Sequence, residues 1–214
     1  EGDPVHSERF CHDITMSDDN GTVLVNALRG DIVKFHQLSG GSIEAIGMLF
    51  SELAKQALPP QVICELLGFN KEEVKAAFEA GKPPTATEEQ LINAVKQSVD
   101  PEDSVESYAP VLSKHIKRFE NAQTVMAELT GQLTEFHTKA GGDVGKISAL
   151  FSDLTPEPQK GKPIPAGMIN ALLRIDPKAA VCSVESFIAC FRRNLDVADT
   201  VDIIRPVLLE HIAK

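Results

Sequence analysis

The sequence predicts an all-α protein made of two tandem quasi-symmetric units of about five helices each, closing around one apolar interior. Three observations predict it. The apolar residues, 43% of the chain, are mostly Leu, Ile, Val and Ala, with 5% aromatics and no Trp, a mix that favours helices over strands. They recur at helical spacing, and no segment alternates with the two-residue period of a strand. The chain also matches itself. Residues 23–53 lie over 124–154 without a gap, with identities at Leu28/Leu129, Gly30/Gly131, Phe35/Phe136, His36/His137, Gly40/Gly141, Gly41/Gly142, Ile46/Ile147, Leu49/Leu150, Phe50/Phe151, Ser51/Ser152 and Leu53/Leu154.

The elements follow in order within each unit. Val25, Leu28, Ile32 and Phe35, echoed by Met126, Leu129, Leu133 and Phe136, form the apolar stripe of a first helix. The Gly-Gly pair after it is a helix stop, since glycine readily takes the left-handed conformation of a helix end. Ile43, Ile46, Leu49, Phe50 and Leu53, with Val144, Ile147, Leu150, Phe151 and Leu154, give a second helix, so the first two form a hairpin. Proline opens a short third helix through Ile63, Leu66 and Leu67, or Ile169, Leu172 and Leu173. Thr87-Glu88-Glu89-Gln90 and Ser183-Val184-Glu185 read as N-caps of a fourth. A fifth follows Asp100 or Asp196, with Pro110 and Pro206 expected to kink it or delay its start. Copy two has extra residues around Pro156–Lys160, and copy one has an insertion at about Lys71–Lys82. From Val111 to Ala140 the sole helix breaker is Gly131, so the last helix of copy one is expected to run into the first of copy two. The organisation is thus a polar N-terminal segment, 1–21, and helical repeats 22–120 and 121–214, together one globular unit.

A net charge of −10 and a pI near 5.1 argue against a nucleic-acid partner, which needs a basic surface. The cluster Lys114-His115-Ile116-Lys117-Arg118 reads as a solvated helix face. No apolar run is long enough for a membrane span. The chain opens at Glu1 without Met, which suits a mature secreted protein and equally a fragment boundary. Asn20-Gly21-Thr22 is a candidate glycosylation sequon. Cys11, Cys64, Cys182 and Cys190 are too dispersed for a disulfide framework, with one or two bridges left open. On one straight helix Cys182 and Cys190 would lie about 12 Å apart, beyond disulfide reach.

No HExxH, phosphate loop, nucleophile elbow or metal-spaced Cys/His set is present, which points away from an enzyme. His36/His137 and His115/His211 are duplicated, which suggests either a pseudo-symmetric haem or metal site or ordinary packing. Asp100/Asp103 and Asp196/Asp199 read as helix-capping acids rather than catalytic or calcium-binding pairs. The apolar stripes allow a filled core or, with few large aromatics to fill the centre, a cavity for lipid.

From Phe119 to Ile175 the layout resembles the insect allergen-repeat family of cockroach major allergens and mosquito midgut microvillar proteins. The residues are Leu133-Thr134-Glu135-Phe136 to Gly141-Gly142-Asp143-Val144, then Ile147 to Leu154, then Pro165 to Ile175-Asp176. The resemblance implies a protein secreted chiefly in the insect gut, without catalytic machinery, whose two units fold around a large internal cavity that carries fatty acids or phospholipids. A monomer without cofactor is expected, and such a carrier could unload lipid into membranes. Phe35, Ile46, Leu49, Phe50, Leu112, Phe136, Ile147, Leu150, Phe151 and Leu208 would line its cavity by contact. The alternative is a solid-core helical interaction or structural protein; a histidine-ligated haem or metal binder comes third.

Overall fold

The computed structural model describes residues 15–79, 83–155 and 160–214. Among them the chain is helical throughout, with two isolated β-bridges and no strand. Cys11, one candidate disulfide partner, lies outside the described residues, and Cys64, Cys182 and Cys190 are free thiols. The chain divides into two compact units, 1–116 and 117–214.

The first unit holds α1 (Thr15–Ser39), α2 (Ile43–Leu53), α3 (Pro60–Leu66), α4 (Lys71–Glu79), α5 (Glu88–Ser98) and the start of α6 (Val105–Ala140). The second holds the rest of α6 with α7 (Val144–Leu154), α8 (Ala166–Leu173), α9 (Val184–Asn194) and α10 (Val201–Ala213). The uninterrupted α6 matches the expectation from the Val111–Ala140 stretch; Gly131 sits inside it and does not end it. Residues 15–21, read from sequence as part of the polar segment, belong to α1. Gly21 lets this turn of α1 approach α5 closely, because a Cβ there would lie 2.5 Å from the Lys96 carbonyl oxygen. The insertion after Asn70 forms a helix of its own, α4, which packs on α3 and has no counterpart in the second unit.

Local chemistry sets the helix ends. Thr87 makes a full capping box with Gln90, its hydroxyl accepting from the Gln90 amide at 3.2 Å while the Gln90 side chain accepts from the Thr87 amide at 2.9 Å. Ser183 caps α9 through the Ser186 amide at 3.2 Å, and Pro59 and Pro165 occupy the N-cap positions of α3 and α8. Pro110 and Pro206 neither delay nor end their helices, which start at Val105 and Val201.

The two turns Gly40-Gly41 and Gly141-Gly142 carry φ of +62°, +69°, +67° and +68°. Their glycines have different reasons to be there. At Gly40 and Gly141 a side chain would meet nothing within 4 Å, so only the left-handed backbone demands glycine. At Gly41 and Gly142 a Cβ would also lie 2.2 Å from the Ala86 carbonyl oxygen and 2.5 Å from that of Cys182. An incoming strap of chain therefore touches the turn backbone to backbone. In urea unfolding, Gly141→Ala is expected to cost about 1–2 kcal/mol for the strained conformation alone. Gly142→Ala adds the collision and is expected to cost about 3 kcal/mol or more; equal losses would show that the strap is not held at contact.

Candidate functional site

The duplicated histidines occupy two kinds of site, each built twice. His36 follows the core residue Phe35 at the end of α1, and its Nε2–H donates to the Ala86 carbonyl at 2.8 Å. His137 does the same to the Cys182 carbonyl at 3.0 Å and stacks on Phe187. A carbonyl only accepts, so the proton sits on Nε2 in both rings. These bonds hold the strap against Gly41 and Gly142, together with Ala86 N–H to the Gly41 carbonyl at 2.8 Å and Cys182 N–H to that of Gly142 at 3.0 Å.

The second kind lies in the last helix of each unit. The His115 ring is buried edge-on against Phe35, with centroids 6.1 Å apart, and its Nε2 lies 3.2 Å from a Glu52 carboxylate oxygen. The His211 ring meets Phe136 at the same 6.1 Å, and its Nε2–H donates to Asp153 at 2.8 Å. Glu52 and Asp153 occupy matching positions of α2 and α7, so acid and imidazole tie the second helix of each unit to its last. Lys114 also reaches Glu52, at 2.9 Å. Its hydrogen bond and charge, with that of His115, hold the Glu52 carboxyl below the usual range against an opposing desolvation effect. Three of the four Nε2 atoms make hydrogen bonds to protein oxygens, whereas that of His115 is buried beside the Glu52 carboxylate without an aligned hydrogen bond. Among the described residues no three His, Cys, Asp or Glu side chains converge as a metal-ligand set.

The basic run around His115 is more than a solvated face. Arg118 Nε–H and Nη2–H donate to the Leu195 and Arg193 carbonyls, both at 2.9 Å, closing the C-terminal end of α9.

The paired aspartates do not cap the helix after them; each pair closes the turn before it. Asp103 accepts from the Asp100 amide at 2.8 Å, and Asp199 from the Asp196 amide at 2.7 Å. Asn20 Nδ2–H donates to the Asp100 and Asp103 carbonyls at 3.1 and 3.3 Å, and Asn121 to those of Asp196 and Asp199 at 2.7 and 2.8 Å. The sequon asparagine is therefore a turn clamp on α1. Tyr108 packs beside the first turn, its hydroxyl 3.3 Å from Asp103 Oδ2. Burial, reinforced by the Asp103 and Asp100 charges, pushes its phenol up to about 12.

The residues expected to line a cavity are core residues of their own units. Phe35, Ile46, Leu49, Phe50 and Leu112 are buried in the first, and Phe136, Ile147, Leu150 and Leu208 in the second, with Phe151 half-buried against that core. In the first unit Phe35, Leu49 and Leu112 border a void of about 10 Å³ beside Leu91 and Val95, room for one water at most and far below the roughly 300 Å³ of a small ligand pocket. In the second unit Phe187 and Phe191 stand at the positions of Leu91 and Val95. Their rings pack with Phe136 and Phe151 at centroid distances of 5.7 and 5.8 Å, supplying the aromatic filling that the overall composition did not suggest.

No family model matches this chain, and no curated protein or solved structure is significantly similar to it.

Apolar space opens instead at the surface. Pro60, Cys64, Phe69 and Val74 form a groove of about 630 Å³ between α3 and α4, with Lys71, Lys75 and Glu65 on its rim. Lys71 pairs with Glu65 at 2.8 Å, an exposed contact that contributes little. A second groove of about 600 Å³ lies between the ends of α6 and α10. It is the more polar of the two, with Lys139 and Lys214 already bonded to Glu135 and Glu210.

Two pH dependences follow. Glu52 titrates lower when folded than when unfolded, so its contribution is present above the ordinary carboxylate range and is lost as pH falls through its folded value. Acid unfolding of Glu52→Gln should accordingly be less steep than that of the parent. Tyr108 is shifted the other way: its contribution is intact below about pH 10 and is lost as pH rises toward 12. The chain has one Tyr and no Trp, so tyrosinate absorbance reads this group alone. A folded-state midpoint close to that in urea would refute the packing around it.

Proposed function

We propose that this chain is a secreted, non-enzymatic lipid-binding protein built from two tandem quasi-symmetric helical units. In this reading its ligand, a fatty acid or a similar single-chain anionic amphiphile, lies in the α3–α4 groove of the first unit. The observation that carries the proposal is the contrast of volumes: about 10 Å³ among the expected lining residues of the first core against about 630 Å³ of apolar groove outside it. The groove is of ligand size, its floor is apolar, and Lys71 and Lys75 stand where a carboxylate head would emerge. A ligand carboxylate would exchange with Glu65 at Lys71, which the weakness of that exposed pair permits.

Two further points support the reading. The quasi-symmetry rests on matched roles at matched positions: His36 and His137, His115 and His211, Glu52 and Asp153, Asn20 and Asn121. The layout resemblance of Phe119–Ile175 to insect allergen repeats points to lipid as the ligand class. Helix α4, present in one unit only, then gives that unit its site.

Delipidated protein should bind a fluorescent fatty acid saturably, with one equivalent displaced by oleate. Phe69→Ala, which removes a groove wall, should weaken binding about tenfold, a loss of about 1.4 kcal/mol. No saturable binding, or binding that Phe69→Ala leaves untouched, would sink the proposal. The filled cores also favour a second reading, a helical interaction protein, for which a stable protein complex free of extractable lipid is the expected result.

A further inference from the structure

Residues 160–178 of the second unit differ in charge and cover from the segment they match, 54–72 of the first. In the first unit Lys55 and Lys71 balance Glu65 and Glu72, α3 itself carries Glu65, and α4 packs on it. In the second, the same span contains Lys160, Lys162, Arg174 and Lys178 and one acid, Asp176, in a chain whose net charge is −10; the neighbouring Asp153 of α7 is paired with His211. Helix α8, Ala166–Leu173, carries no charged residue, and there is no counterpart of α4 to cover it. Its outer face is apolar and small. Ala166, Gly167 and Ala171 are exposed, and Met168 is 57% exposed on a helix otherwise anchored by the buried Ile169, Asn170 and Leu173.

The basic flanks are held in place. The buried Ser152 hydroxyl of α7 donates to the Lys162 carbonyl at 2.6 Å, and the Ser152 carbonyl accepts from the Gly161 amide at 2.9 Å. On the other side Asn170, 2% exposed, turns its Nδ2–H group onto the carbonyls of Asp176, Pro177 and Ala179 at 3.1, 2.9 and 3.1 Å. The loop carrying Lys178 is thereby clamped to α8. Cys64 stands at the matching position of the first unit and cannot make such a clamp.

We propose that α8 and its two basic flanks dock the second unit on an anionic lipid surface. Eight residues span about 12 Å, so the helix lies in the plane of the interface, as no described helix is long and apolar enough to cross a membrane. Met168 enters the acyl boundary, and the alanines and Gly167 let the backbone sit close to it. The lysines meet the headgroups. One Met and a few small residues bury little apolar area, so the lysine contacts are indispensable and neutral bilayers are not bound. The charge decides the class of partner. This surface is independent of the α3–α4 groove, and a protein without a fatty acid site could still have it.

The test is co-sedimentation of the intact chain with vesicles of phosphatidylcholine alone and of phosphatidylcholine with phosphatidylserine in a two-to-one ratio. The expected result is binding to the anionic vesicles only, weakened by salt. Lys160→Gln and Lys162→Gln are expected to weaken it about fivefold each. Met168→Glu should abolish it, while Val62→Glu, the matched exposed position on α3, should leave it unchanged. All four positions are exposed, and helical circular dichroism checks that each variant folds. No binding, equal binding to both vesicles, or anionic binding that survives Met168→Glu and both lysine changes would overturn the proposal. So would an acidic protein retained on this face by a chain that ignores vesicles.

Discussion

A backbone contact organises each unit: the chain ahead of α5 or α9 crosses the turn between the first two helices so closely that only glycine fits beneath it. The strap is fixed there by a backbone amide-to-carbonyl bond and by an imidazole, and the very next residue, Thr87 or Ser183, caps the following helix. Where that helix begins is therefore decided by the turn. The residue before each strap histidine is a core phenylalanine, and its ring in turn receives the second histidine edge-on. That histidine reaches an acid on the second helix. Turn, strap, core and last helix thus depend on one another in sequence, and the duplicated histidines are rivets in this chain of contacts.

Much of this was legible in sequence, and the failures have physical reasons. Periodicity, the Gly-Gly stops, the prolines and the Thr87 and Ser183 caps are local signals, and they marked the helices that local signals can mark. Helix α4 escaped because Lys71–Glu79 is rich in charge and its helical role shows only in the packing on α3, where Val74 is buried. Residues 15–21 escaped because Asn20 and Gly21 look like a turn unless the neighbouring α5 is known. Glu52 and Asp153 escaped because they agree in charge and not in identity. The aspartate pairs were placed correctly at a helix entrance, yet their role as turn closers depends on Asn20 and Asn121, some 80 residues away in sequence. The contents of the two cores were beyond composition: ten Phe are few for the chain, but α9 concentrates two of them where α5 has Leu91 and Val95.

The positions that differ between the units are as informative as those that agree. The turn, strap and histidine contacts occur in both units, while their third helices differ. In the first unit there is a covering helix, a groove and balanced charge. In the second there are fewer acids, more lysines and no such cover. Cys64 lines the groove of the first unit, while Asn170, at the matching position of the second, clamps a loop. The turn, strap and histidine contacts hold in both units although the third helices, the presence of α4 and the aromatic content of α5 and α9 differ.

The solitary Tyr108 belongs entirely to the first unit. With no Trp and no other Tyr in the chain, tyrosine emission is a private signal of that half, whereas helical ellipticity reports both. Loss of tyrosine emission structure and loss of helical ellipticity are consequently separate clocks. If the halves melt apart, the two clocks disagree; if they melt as one, a single phenol reports for both.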